Sequence, residues 1–600
     1  MNKTFLKKEP LIPILIFILA FGFRLGYLAF LKKHYFFYDH PSADVVYYQN
    51  WARLIASGHW LGSPTFQGLP LYPYFLGFLM RLTLGSTLAI RIIHLLLGSL
   101  NCILVFKVAQ KIFTQPVAIV SGLLAASNFY LIYYDWLMMP VTLIITLSLV
   151  IILSLLSLNK MSRARDWFLL GLMLGLTILA DGKFLFFLFF ISVYLMARLT
   201  IPYERKLRTV IVPLTLGAFL ILCAMTVRNK IIFNDWIFIS PQSGLSFYVG
   251  NNPQATGIFE NPRFIRPSHS GQDEDQRIVA QMISKKELPP AAVSKFWRRK
   301  GWDFIRNQPL DYGLLLGRKL LLFLKDTERA HDLDLLLQSK WRRTLNYNPF
   351  FILCPLALLG IILALQQKRK EHIFLLLLIL SQLILTLIFF LITRHRITIL
   401  PLLLIYESFF LVTLVHRIKK KKYKHGVAIL LPVIVFMGIS APERVKAKNI
   451  DFIEHAKKCA IFEKKGQLDR AKSECMLALN ISPSDSVSLY NLGNVYFKKN
   501  NLVSAKDAYE RSLAICSYNI DALFNLGYVY EKQRNYIRAL ESYKAVLEFQ
   551  PAMPDVHYRM AQMYLKLGHC EEVNKHIQII MTIDPSFKKQ LHQLITACPH

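Results

Sequence analysis

The chain has 600 residues, of which 54% are hydrophobic, 13% aromatic and only 18% charged. A charged share below the ~25% of soluble globular domains, produced by long apolar runs, excludes a soluble multidomain enzyme. The same apolar content excludes a disordered chain, and eight cysteines are too sparse for a small disulfide scaffold. The 71 Lys and Arg against 38 Asp and Glu leave a net charge of +33. These cations cluster in short connectors between apolar runs, such as Arg417, Lys419, Lys420, Lys421, Lys422 and Lys424, which marks membrane loops rather than a nucleic-acid surface.

A membrane helix needs ~20 apolar residues to cross ~30 Å of hydrocarbon. Such runs lie near 10–31, 84–106, 116–134, 137–158, 166–180, 184–200, 209–227, 347–366, 372–393, 397–415 and 426–440. They predict an all-α polytopic membrane protein of about eleven transmembrane helices. The first run follows Lys3, Lys7 and Lys8 as a signal peptide would, yet it is long, contains Arg24 and lacks a small-x-small cleavage site, so it reads as a retained span. The groups Lys107/Lys111, Lys160/Arg163/Arg165, Arg205/Lys206/Arg208, Lys368/Arg369/Lys370 and Arg417–Lys424 fall on alternate connectors. Cytoplasmic loops collect Lys and Arg, so the N-terminus is expected in the cytoplasm of a multi-pass cytoplasmic-membrane protein. Loop 32–83, the stretch 228–346 and everything after about residue 441 then face outward.

Charged groups beside membrane spans are costly and therefore functional candidates. In the first outer loop Asp44, Tyr47, Tyr48 and Trp51 have the i, i+3, i+4, i+7 spacing of one helix face, and Ser42 or Asp44 can cap that helix. Asp39 is a second acid, before the helical face. Asp135 sits in a very short outer turn between Tyr134 and Trp136, where helix capping is the alternative to catalysis. Lys183, in Ala180-Asp181-Gly182-Lys183, Arg228, and the Arg394-His395-Arg396 turn are the outer cations; the two arginines of that turn could equally snorkel to headgroups. Over 312–325, leucines alternate with Arg318, Lys319 and Lys325 as in an interfacial helix. No Walker A loop, dinucleotide glycine pattern, HExxH or GxSxG occurs, and the cytoplasmic loops are too short for a nucleotide-sugar domain.

Asp44 with Tyr47 and Tyr48, then Trp51-Ala52, Gly58 and Pro70-Leu71-Tyr72-Pro73-Tyr74, resemble the first outer loop of the GT-C glycosyltransferases, closest to the protein-mannosyltransferase-like branch, family 39, and its bacterial relatives. The string Ser243-Gly244 through Phe247-Tyr248, Gly250 and Asn251-Asn252-Pro253 is similar to bacterial members, as is Trp302…Pro309…Tyr312…Arg318-Lys319, so the resemblance covers about residues 10–420. It implies inverting transfer of a sugar from a polyprenyl-phosphate donor to a protein, lipid or glycan acceptor on the outer face. Asp44 matches the family's catalytic base and Asp135 a site that is usually acidic. Arg394 and Arg396 resemble the family's Arg-x-Arg…Pro element and, with Arg228 and Lys183, are the expected donor-phosphate ligands. Tyr47, Tyr48, Asn251 and Asn252 are the expected substrate contacts. The Phe184 that follows Lys183, and the Leu-Met-Met-Pro that follows Asp135, depart from the family pattern. The resemblance implies no definite cofactor, and a divalent cation on Asp44 plus Asp135 is compatible with it.

From about residue 451 a period of 34 appears. Leu492-Gly493 recurs as Leu526-Gly527 and weakly as Met560-Ala561. Phe462, Tyr496, Tyr530 and Tyr564 keep register, as do Ala471, Ala505 and Ala539, the pair Tyr509 and Tyr543, and Pro483, Pro551 and Pro585. The pattern resembles tetratricopeptide repeats, a soluble α-solenoid of about four units. The expected domains are thus 1–440, the membrane glycosyltransferase, and 441–600, the solenoid, whose concave face could take a protein partner. Cys475 occupies the core slot of Tyr509 and is read as packing; no Cys/His spacing suits zinc. The competing function is an inactive membrane scaffold that recruits partners through the repeats. A transporter would call for paired polar residues at mid-membrane and internal symmetry, of which the sequence has little.

Overall fold

The computed structural model describes residues 11–41, 43–61, 69–158, 163–198, 202–238, 240, 242–260, 262, 269–284, 286, 288–324, 350–420, 448–517, 519–551, 553–583 and 587–598. Among them the named elements are all helices, and an isolated bridge joins Ile258 and Leu391. The chain forms two compact units: Met1–Pro262 with Pro267–Asp273 and Lys286–Glu443, and Arg263–Arg266 with Glu274–Lys285 and Arg444–His600.

In the first unit, four described helices are long and apolar enough to cross a membrane: Leu11–Lys33, Thr87–Ile112, Tyr203–Ile232 and Leu400–Lys419. Phe129–Trp136 and Val141–Ser157 are long and apolar enough only when taken together, across a 117° bend that makes them a broken span or a re-entrant loop. The expected eleven are therefore not all found as full-length spans, and there are three reasons. The 426–440 run lies outside the described residues. Helices such as Ala164–Ile178 and Lys183–Arg198 have 15 and 16 residues, which at 1.5 Å per residue reach only about 24 Å. The 116–134 run is broken at Asn128: its backbone is extended, and its side chain accepts hydrogen bonds from the N–H groups of Tyr130 and Leu131, so a new helix starts there. A single capping residue inside an apolar run leaves hydropathy almost unchanged.

Small residues let these helices touch. A Cβ on Gly171 would overlap the Leu214 carbonyl, and one on Gly217 would overlap that of Phe168, so Ala164–Ile178 and Val212–Phe233 are in backbone contact.

The second unit carries four helical hairpins, Lys448–Lys464 with Leu468–Ile481, Ser486–Lys498 with Leu502–Ile515, Ile520–Lys532 with Tyr536–Phe549, and Pro554–Lys566 with Cys570–Ile583, then Lys588–Ala597. Gly493 and Gly527 face the Tyr509 and Tyr543 rings, where a Cβ would stand only 2.5 and 2.7 Å from ring carbons. The turns repeat as faithfully as the core: Gly466, Asn500, Arg534 and Gly568, each 34 residues after the last, all have positive φ. Cys475 fills the buried core slot, and it is also bonded to Cys459 across the first hairpin. A second disulfide, Cys570–Cys598, ties the fourth hairpin to the last helix.

Candidate active site

The Ala43–Ala56 helix carries Asp44 in its first turn and Tyr47 and Tyr48 one turn later. All three line a cavity of about 1310 Å³ in the first unit. Arg394, His395 and Thr398 line the same cavity. Ile392 is extended before the short Thr393–Ile397 helix, and Pro401 sits in the first turn of the next, so this basic segment is a connector rather than part of a span. Arg394 donates to Asp44 in an ion pair, each side chain about one-quarter exposed. Burial lowers the His395 imidazole to about 4, against the opposing pull of Asp181, so the ring is neutral at pH 7.

Asp181 also fronts the cavity. The Lys183 ammonium donates to its Oδ2 at 2.7 Å and the Lys183 backbone N–H to its Oδ1 at 3.1 Å. The ammonium is fully buried and also bonds Thr398 Oγ1. Lys183 therefore stands behind Asp181 and fixes it, without lining the cavity itself.

Several candidates from the sequence are held away from this wall. Arg396 is buried, its guanidinium 3.7 Å over the Phe350 ring and donating to the Phe323 carbonyl at 3.0 Å. Arg228 donates to the Leu61 carbonyl and to Asn229 Oδ1 at 3.0 Å. Asn251 donates to the carbonyls of Phe247 and Ile388 and accepts from Lys319. Asn252 donates to the Tyr248 carbonyl and accepts from the Gln254 N–H, as a turn asparagine does. None of these four is among the cavity-lining residues.

Asp135 is not among the residues that line the cavity with Asp44. Arg24 Nε donates to Asp135 Oδ2 at 2.7 Å, Thr142 Oγ1 donates to Oδ1 at 2.8 Å, and both members of the ion pair are fully buried. Gly98 makes room for them: a Cβ there would collide with the carboxylate. Each aspartate has its own cationic partner, so one metal ion shared by Asp44 and Asp135 does not fit. No group of three or more His, Cys, Asp or Glu able to hold a metal occurs among the described residues.

Two cavity cations went unnoticed in the sequence. Lys295 and Arg298 line the cavity from the Pro290–Asn307 helix, with Ala291 and Ser294 beside them. The four have the i, i+3, i+4, i+7 spacing of one face, and Pro289-Pro290 is a helix-start signal. Reading 228–346 as one outer loop concealed both clues.

Residues 64–227 match the family model of the dolichyl-phosphate-mannose-protein mannosyltransferases. Residues 493–533 and 520–552 match tetratricopeptide-repeat models. The first match implies a membrane glycosyltransferase of the mannosyltransferase type; here it is joined to tetratricopeptide repeats. It includes Asp135, Asp181 and Lys183 and stops short of Asp44 and Arg394. No curated protein matches the chain. Similar solved structures include YrrB, a TPR protein with an unusual peptide-binding site, at 21% identity over 25% of this chain and 77% of that one, TM-score 0.24. MamA is similar at 18% identity over 29% and 90%, TM-score 0.22. The APC/C hetero-tetramer Cut9–Hcn1 is similar at 12% over 92% and 96%, TM-score 0.24. TM-scores this low define no shared fold.

Proposed function

We propose that the protein transfers a sugar from a polyprenyl-phosphate donor to an acceptor hydroxyl on the outer face of the cytoplasmic membrane, with inversion at the anomeric carbon. The observation that carries this reading is the Asp44–Arg394 ion pair on the wall of a large cavity. Asp44 takes the acceptor's proton as the acceptor oxygen attacks the anomeric carbon, and the bond from that carbon to the phosphate oxygen breaks on the opposite side. The pair of electrons leaves with the phosphate, which gains negative charge in the transition state and needs a nearby cation. Arg394 has five N–H donors in a planar fork, enough to hold Asp44 with one edge and receive phosphate oxygens with another. Tyr47 and Tyr48, on the same helix face as Asp44, flank the reacting groups.

The outward orientation rests on the alternating basic connectors, and the two disulfides of the second unit add support, because such bonds persist in oxidising compartments outside the cytoplasm. The repeats then present a protein-binding solenoid on the side of the acceptor.

The test is label transfer in membranes supplied with polyprenyl-phosphate monosaccharides carrying a traceable sugar. Wild type should label one cell fraction, which names the acceptor class, and Asp44→Asn should not. Absence of transfer from every donor, with intact protein, would leave the scaffold reading in its place.

A further inference from the structure

Most cations expected near the leaving phosphate are committed elsewhere: Arg396 to the Phe323 carbonyl, Arg228 to Leu61, Lys183 to Asp181. Arg394 is shared with Asp44. A site that must release a lipid phosphate needs more positive charge than one guanidinium already paired with a carboxylate. The wall formed by the Pro290–Asn307 helix supplies it.

Lys295 and Arg298 are exposed, and both line the cavity. The position of their helix is fixed by contact with the Ser243–Gly250 helix. A Cβ on Gly244 would overlap the Ser294 carbonyl, and Ser294 Oγ accepts from the Gly244 N–H at 3.1 Å. Arg298 Nη2 in turn donates to Ser243 Oγ at 3.4 Å, a long bond that leaves most of its guanidinium donors for a ligand. The acids around the cavity do not cancel this charge. Among the described lining residues, Asp44 is paired with Arg394 and Asp181 with Lys183, which leaves Glu260, hydrogen-bonded to Thr256, against two cations. Apolar Leu185, Phe186 and Leu385 line the same cavity, so a phosphate attached to a hydrocarbon chain meets both kinds of surface that it needs.

We propose that Lys295 and Arg298 form the donor-phosphate subsite, binding the phosphate of a polyprenyl-phosphate lipid that reaches the cavity. This rests on the glycosyl-transfer reading above and names the residues that hold the donor. Phosphate chemistry is shared with phospholipid headgroups and inorganic phosphate, and the experiment separates these sources.

The experiment uses the full chain in lipid nanodiscs and measures binding of a polyprenyl monophosphate, of phosphatidylglycerol and of inorganic phosphate. It compares wild type, the double variant Lys295→Ala/Arg298→Ala, and the charge-matched control Arg299→Ala/Lys300→Ala on the same helix. Both pairs are exposed, so the fold should survive in either variant. The double variant should lose about 100-fold in polyprenyl-phosphate affinity, as expected for two charge-assisted contacts. It should also show a raised donor KM, while the control behaves as wild type and phosphatidylglycerol retention is unchanged in all three. Wild-type affinity in the double variant, or an equal loss of polyprenyl phosphate and phosphatidylglycerol, would overturn the subsite. A double variant that transfers with an unchanged donor KM overturns it while the transferase reading stands. Wild type that binds the lipid through these residues yet transfers nothing overturns the donor role and the transferase reading together.

Discussion

The carboxylate of Asp44 and the guanidinium of Arg394, 350 positions apart in the chain, meet as an ion pair at the wall of one cavity. The pair is only partly buried, so neither charge carries the full desolvation cost of a core ion pair. General-base catalysis contributes roughly 10²–10⁴ in rate. Asp44→Asn should therefore cut transfer at least about 100-fold with the protein folded, and Arg394→Ala should lower kcat more than it raises the acceptor KM. Single-turnover measurement with labelled donor checks both, and an Asp44→Asn enzyme within a factor of a few of wild type would remove the base assignment.

The buried Arg24–Asp135 pair leads to a prediction about stability. Removing one partner of a buried pair leaves an uncompensated charge and costs about 3–5 kcal/mol, whereas replacing both by apolar groups is often neutral. Arg24→Met alone should lower the melting temperature of the detergent-solubilised protein sharply, and Arg24→Met/Asp135→Leu should recover most of the loss. Transfer retained by the double variant would confirm that Asp135 takes no part in the chemistry. Transfer lost from a well-folded double variant would return it to the list of catalytic acids.

Within the repeats, glycine is required at one position and missing from another. Gly527→Ala puts a methyl group against the Tyr543 ring and should destabilise the solenoid. Arg534 adopts φ of +60° at the slot where Gly466 and Gly568 sit in the outer repeats. Arg534→Gly should relieve about 1 kcal/mol of left-handed backbone cost and raise resistance to proteolysis between the two helices of that hairpin. Thermal unfolding of the full chain with limited proteolysis reads both directions.

A pH dependence follows from His576. Burial, then His557, lowers its pKa to about 4 from an unfolded value of 6.5, with Glu572 opposing and Lys575 and Lys544 reinforcing. The Pro551 carbonyl accepts from His557 Nε2 at 2.8 Å, and the Nδ1 atoms of His557 and His576 face each other across 2.8 Å, where one donates and the other accepts. Protonating both rings would set two N–H groups against each other. A depressed folded pKa means that unfolding takes up a proton, so this contribution is complete above about pH 6.5 and is lost as pH falls toward 4. The solenoid should melt several degrees lower at pH 5 than at pH 7.5, and His576→Gln should flatten that difference.

The repeats were legible because each structural role recurs as a residue type at a fixed interval, in the core at Gly493 and Gly527 and in the turns at Asn500 and Arg534. The face shared by Asp44, Tyr47 and Tyr48 was legible for the same reason, being written in helical spacing. The cations were not. Arg394 and Arg396 are two residues apart on a short helical turn, yet one meets the cavity and the other lies under Phe350, a difference set by packing partners far away in the chain. Disulfide pairing was equally hidden, since Cys475 satisfies its core slot whether or not Cys459 stands opposite.

Arg24 also bears on how the membrane unit is made. It leaves the ribosome 111 residues ahead of Asp135, an interval of about 5–20 s at ordinary synthesis rates. Throughout that delay the first helix carries a charge that is costly in lipid. Its burial as a neutral pair has to wait until the chain around residue 135 has been made.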